Sequence, residues 1–141
     1  MIATQTDYQL GDLRWDDRFS WWEGLLALPD GKSFTLYVES KSKDDQSLTD
    51  EARLAASKIV KSDSEIRKFA ASRLLATHNE SWNEGDLINE EEFMRRMIPA
   101  GITIFADGDA EISYYDDDIF RGHYIEIRYR GGDFNEALVS G

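Results

Sequence analysis

Apolar residues in the first forty positions recur every second residue. Tyr8 and Leu10 share one parity and Leu13 and Trp15 the other, so a bulge at Gly11-Asp12 would restore the inward face. Phe19 to Leu28 is apolar on both parities, the pattern of a strand covered on two sides. Pro29-Asp30-Gly31 supplies a turn, and Phe34, Leu36 and Val38 then alternate with Thr35, Tyr37 and Glu39 as a half-buried strand. The period then changes. Leu48, Ala52, Ala55, Ala56, Ile59 and Val60 recur at helix spacing. Ser62-Asp63-Ser64-Glu65 matches a capping box ahead of a second stripe, Ile66, Phe69, Ala70 and Leu74. Asn89 and Glu92 repeat that logic for a third helix that stops before Pro99.

Alternation returns in the last third. Ile102 to Ala106 and Ala110 to Tyr115 flank Asp107-Gly108-Asp109, a hairpin signal. Ile125, Ile127 and Tyr129 face one way, and Gly131-Gly132 leads to a short strand near Ala137 to Val139. Strands, helices and strands in that order predict a single α+β domain over residues 1–141: an antiparallel β-meander, two to three central helices and a second antiparallel β-meander.

Composition agrees with a packed core: 41% of the 141 residues are hydrophobic, with four Trp, six Tyr and seven Phe. No apolar run has the ~18 residues of a membrane span. The first residues, MIATQTDYQLGD, carry no secretory signature, and a cytoplasmic location is expected. The chain has no cysteine, which removes disulfides, thiolate metal sites and Cys nucleophiles together. Net charge is −12 and uneven. From Asn79 to Asp118 twelve acids face only Arg95 and Arg96, a balance of −10; the other residues, sixteen acids and fourteen bases, give −2. A field of that sign opposes nucleic acid and anionic lipid and favours a basic protein or a cation.

Several short motifs follow one another in a fixed order. They are Leu10-Gly11-Asp12, Trp21-Trp22-Glu23-Gly24, Asn79 to Trp82, Glu91-Glu92-Phe93, Asp107-Gly108, and Tyr115-Asp116-Asp117 through Phe120-Arg121-Gly122-His123. In that order, over the full length, the chain resembles the bacterial family catalogued as domain of unknown function 2262. Arg121 stands where that pattern expects an aromatic, and Asp118 adds a third acid to the cluster. The resemblance implies no established activity, so no catalytic residue carries over.

Three constellations could carry chemistry. His123 lies a few residues past Asp116, Asp117 and Asp118, close enough in sequence for a carboxylate–histidine pair; the alternative is a histidine capping turn backbone beside Gly122. The same aspartates, with Asp107 and Asp109, could offer oxygens to Ca²⁺ or Mg²⁺, but no EF-hand order is present and turn chemistry accounts for them. Trp21 and Trp22 point to opposite faces of one strand, so one belongs to a core and the other is covered by a helix or open for recognition. No nucleophile elbow, His-x-x-x-His pair or phosphate loop appears. The reading favoured is a non-enzymatic, acidic protein-binding domain of immunity or antitoxin type, without cofactor or metal, engaging a basic protein through Trp21, Trp22, Asp116, Asp117, Asp118 and His123. The alternative is a metal-assisted hydrolase built on His123 and Asp116 to Asp118.

Overall fold

The computed structural model describes residues 2–40 and 48–141. Eight strands form one sheet in sequence order: β1 (Thr4–Asp7), β2 (Gly11–Asp16), β3 (Trp21–Ala27), β4 (Ser33–Glu39), β5 (Ile98–Ile104), β6 (Ala110–Tyr115), β7 (Tyr124–Arg130) and β8 (Asp133–Ser140). Between β4 and β5 come α1 (Asp50–Lys61), α2 (Asp63–Thr77), a π-helical turn (His78–Trp82) and α3 (Glu90–Arg96). The architecture is α+β. The two expected meanders are present as halves, but they do not stay separate. β4 pairs with β5 in parallel, Thr35 opposite Gly101 and Val38 opposite Ile104, and this junction fuses them into one sheet.

Alternation decides which face is buried. Trp15, Trp22, Phe34, Leu36, Val38, Ile102, Ile104, Ile112, Tyr114, Ile125 and Ile127 point inward and are almost wholly buried. The helices pack there, α1 across β3 and β5 and α2 against β7 and β8, closing the core with Ala52, Ala55, Ile59, Ile66, Ala70 and Phe93. Among the described residues no helix covers the opposite face. β3 therefore departs from the expected two-sided strand: Trp22 is 0% exposed, whereas Leu25 on the other parity is 67% exposed. Gly24 is required here, because a Cβ would lie 2.7 Å from Leu13 Cδ2 and 2.8 Å from the Asp12 carbonyl.

Two further local expectations are corrected. The parity switch at Gly11 is a hairpin turn between β1 and β2, not a bulge; Asp7 accepts from the amides of Gln9 and Leu10, each at 2.9 Å, and Gly11 takes φ 79°. Ser62 does not form a capping box. It ends α1 and starts α2 with ψ 16°, not the extended geometry a side-chain cap needs, and its hydroxyl makes no cap bond. Thr49 and Asn89 do cap, accepting from Ala52 and Glu92 amides at 3.1 and 2.8 Å. A bulge lies instead between Pro99 and Gly101, where an extra residue lets proline sit in a strand.

Two partly buried polar links tie the layers. Tyr114 donates to Asp63 at 2.7 Å, Asp63 pairs with Arg67 at 3.0 Å, and Arg67 donates to the carbonyls of Met94 and Met97. That chain joins β6, α2 and α3. Arg53 of α1 pairs with Asp7 at 2.7 Å, their side chains 16% and 4% exposed, and holds the first hairpin onto the helix.

Burial alone would push the Asp7 carboxyl up, but the Arg53 guanidinium and the amides of Leu10 and Gln9 together hold it below the usual carboxylate range. A carboxyl lowered in the folded state stabilises at neutral pH, and that contribution disappears as pH falls below about 4. Asp7→Asn is expected to cost about 3 kcal/mol at neutral pH, the scale for leaving one member of a buried pair alone. Chemical denaturation at pH 7 and pH 3 checks it: the difference between wild type and variant should shrink in acid, and an unchanged difference would contradict the pairing.

Candidate functional site

The β6–β7 loop, residues 116–123, is organised by one buried carboxylate. Asp116 is 3% exposed. Its Oδ1 accepts from the Asp118 amide at 3.1 Å, and its Oδ2 from the amides of Phe120, Gly122 and His123 at 2.8, 3.2 and 3.2 Å. Those bonds hold Asp117, Asp118 and Arg121 at φ 44°, 67° and 57°, left-handed values that are uncommon for residues with side chains. Phe120 is thereby turned into the core against Phe93, His78 and Trp82, with centroids 5.6 to 6.0 Å away.

His123 donates from Nδ1 to the Phe120 carbonyl at 2.6 Å and sets its ring edge-on to Trp82 at 5.4 Å. It caps turn backbone. No carboxylate side chain bonds its ring among the described residues: Asp116 is occupied by main-chain amides, and Asp117 pairs with Arg96 at 3.4 Å. Asn79, on the π-helical turn, accepts from the Ile88 amide at 3.2 Å and donates to the Ile88 carbonyl at 3.0 Å, tying the turn to the segment before α3. Arg121 lies over Trp82 at 5.7 Å and pairs with Glu84 at 3.3 Å. Of the motif residues, Trp82 meets His123, and Asn79 holds the π-helical turn that carries Trp82.

The five aspartates do not converge. Asp107 and Asp109 lie in the turn before β6 and Asp116 to Asp118 in the loop after it, so the strand's six residues, about 20 Å, separate them. Asp109 accepts from the Gly131 amide at 3.1 Å and Asp107 from the Asp109 amide at 2.9 Å. Among the described residues no three His, Asp or Glu side chains are grouped to hold a metal. The acidic run 79–118 is divided likewise. Glu84, Glu92 and Asp117 sit with Arg121, Arg95 and Arg96 at one end of β6, and Asp109 and Glu111 with Arg130 at the other. A cleft of about 1030 Å³, where β2 and β3 part, is lined by Gln5, Thr6, Asp12, Arg14, Glu23 and Leu25 among others, and neither histidine reaches it.

The helix-free face carries the group that the sequence reading only half identified. Trp21 is half-buried there, stacked on Phe19 at 4.8 Å and against Tyr37 at 4.6 Å. The Tyr37 ring leans over Gly101, 3.6 Å from where a Cβ would stand. Beyond it Tyr115 and Tyr124 pair across β6 and β7 at 5.5 Å and are 50% and 41% exposed. Burial pushes the Tyr37 phenol above the ordinary tyrosine range, helped by Glu23 and by the Tyr115 and Tyr124 phenols nearby. These aromatics form a diagonal band across four strands and end at the loop carrying His123. Trp22, the other indole, belongs wholly to the core. Tyr115 and Tyr124 face each other across one hairpin, but Tyr37 lies 78 residues before Tyr115 in sequence; only strand parity together with the β4–β5 junction could have brought it to them.

The same face is acidic. Asp12, Asp16, Glu23, Glu39, Asp109, Glu111, Glu126, Asp133 and Glu136 share its parity or register, against Arg14, Arg128 and Arg130: nine acids, three bases, a balance of −6. Arg128 is held by Glu126 and Glu136 at 3.3 and 3.5 Å, and Arg130 by Asp109 and Glu111 at 3.8 and 3.6 Å. Among the described residues Glu23 and Glu39 form no ion pair.

This one-faced sheet, with its aromatic diagonal and its carboxylate-pinned loop, belongs to a known lineage. The model of a family described as an uncharacterized protein conserved in bacteria (DUF2262) matches residues 7–139, and the chain is a member of that family. No curated protein and no solved structure matches it.

Asp116→Ala is expected to cost about 3 kcal/mol, because four loop amides, that of Phe120 buried, lose their acceptor together. His123→Ala, which removes one bond to a carbonyl, is expected to cost about 1 kcal/mol. Thermal or denaturant unfolding checks both; equal costs would contradict the division of roles.

Proposed function

We propose that this chain is a protein-binding domain whose contact surface is the helix-free face of its sheet, and that its partner is basic. The observation that supports the reading is the band Phe19, Trp21, Tyr37, Tyr115 and Tyr124 lying in a field of nine acids and three arginines. Half-exposed Trp and Tyr side chains supply large contact area at low conformational cost, as at interface hot spots. Carboxylates around them select a partner by sign and speed encounter. Most acids of this face lie outside the run 79–118, which gives it only Asp109 and Glu111. Catalysis plays no part in this reading: His123 and Asp116 hold the loop at one end of the band. An immunity or antitoxin role, in which a small acidic protein masks a basic one, fits such a surface.

The test is capture from a bacterial host extract with three versions of the chain. Wild type is expected to retain a basic protein that elutes as ionic strength rises. Glu23→Lys and the double variant Tyr115→Ser/Tyr124→Ser are expected to lose it. Glu65→Lys, an exposed change on α2, is expected to keep it. Retention by the open-face variants, or equal loss with Glu65→Lys, would contradict the assignment.

A further inference from the structure

The aromatic band has a length, a charge and an internal example that together specify its occupant. Centroid steps of 4.8, 4.6 and 5.5 Å, with two strand spacings between Tyr37 and Tyr115, give a track of about 25 Å. That is the span of about seven extended residues. Carboxylates flank it, Asp16 and Glu23 near one end and Glu126 towards the other, Asp16 and Glu126 being held by the chain's own Arg18 and Arg128. Flat rings beside carboxylates suit a planar cation better than a compact one. A guanidinium stacks on a ring while its fork is held by an acid, whereas an ammonium is a hydrated point charge.

The chain's own Arg18 already shows this chemistry at the end of the track. Its guanidinium lies 5.3 Å from the centroid of Phe19, and its Nη2 reaches Asp16 at 3.1 Å, although the side chain is 80% exposed. Arg121 repeats the arrangement over Trp82 with Glu84. Nucleic acid, which also stacks on aromatic sheet faces, is opposed by the sign of the field.

We propose that the helix-free face binds an extended basic segment of its partner through arginine side chains stacked on Trp21, Tyr37, Tyr115 and Tyr124, with Glu23, one of the acids that form no ion pair among the described residues, receiving a guanidinium between them. This rests on the reading of that face as the partner-binding surface. It adds the chemistry recognised.

Three seven-residue peptides test it, carrying arginine, lysine or citrulline at alternate positions and otherwise identical. Binding to the full chain is followed by calorimetry and by the amide spectrum of the labelled protein at fixed ionic strength. The arginine peptide is expected to bind saturably, at least tenfold more tightly than the lysine peptide, and the citrulline peptide not measurably. Glu23→Gln and Tyr124→Leu, both surface changes, should each weaken the arginine peptide about three- to tenfold. Spectral shifts should fall on β3, β4, β6 and β7. Equal binding of arginine and lysine peptides, no saturable binding of the arginine peptide, or indifference to both variants would overturn the proposal. The two readings fail separately. A captured partner that depends on the face, beside peptides that bind without preference, removes the guanidinium chemistry and leaves the surface. A partner indifferent to the face removes the surface itself.

Discussion

All the described helices of this protein lie in one connection, between β4 and β5, and the rest of the structure follows from that constraint. A single crossover delivers its helices to one side of a sheet, so eight strands have one face buried and one open. The parallel pairing of β4 with β5 is what the crossover leaves behind, and it makes one sheet out of two meanders. The open face must then tolerate water without becoming a general adhesive. It does so with Glu, Arg, Thr and Ser on most outward positions, and it concentrates aromatic surface in one diagonal.

The β6–β7 loop solves a different problem. Three non-glycine residues in left-handed backbone are unfavourable, and four loop amides without acceptors, that of Phe120 buried, would be more so. One carboxylate, Asp116, answers both, by accepting all four bonds from inside the loop. The result carries Phe120 inward and seats His123 and Arg121 against Trp82. A cluster that in sequence suggests metal or catalysis is, in space, one structural acid with two exposed neighbours.

Where local periodicity and turn chemistry decide, the fold was legible. The strand Phe34–Leu36–Val38, the Asp-Gly hairpin, the Asn89 cap and the inward set Ile125, Ile127, Tyr129 all follow from spacing. Where the answer depends on what lies across the sheet, it was not. The apolar run at β3 reads the same whether its outer side meets a helix or water, so Leu25 and Trp21 could not be placed. The Ser62 capping box failed because α1 runs directly into α2, leaving no extended residue to cap from. Of the candidate site, the two faces of Trp21-Trp22 were readable. Tyr37, Tyr115 and Tyr124 were not, because alternation marks them only as outward and says nothing of their diagonal alignment.

Oxidative footprinting, which labels exposed aromatic side chains by hydroxyl radicals and reads them by mass spectrometry, tests the central claim most directly. The purified chain is compared with the same chain saturated by its captured partner. The account predicts protection of Phe19, Trp21, Tyr115 and Tyr124, with Tyr8 on the first hairpin turn and Trp82 beside the loop labelled as before. Protection confined to Trp82 and its surroundings, with the helix-free face labelled equally in both states, would contradict it.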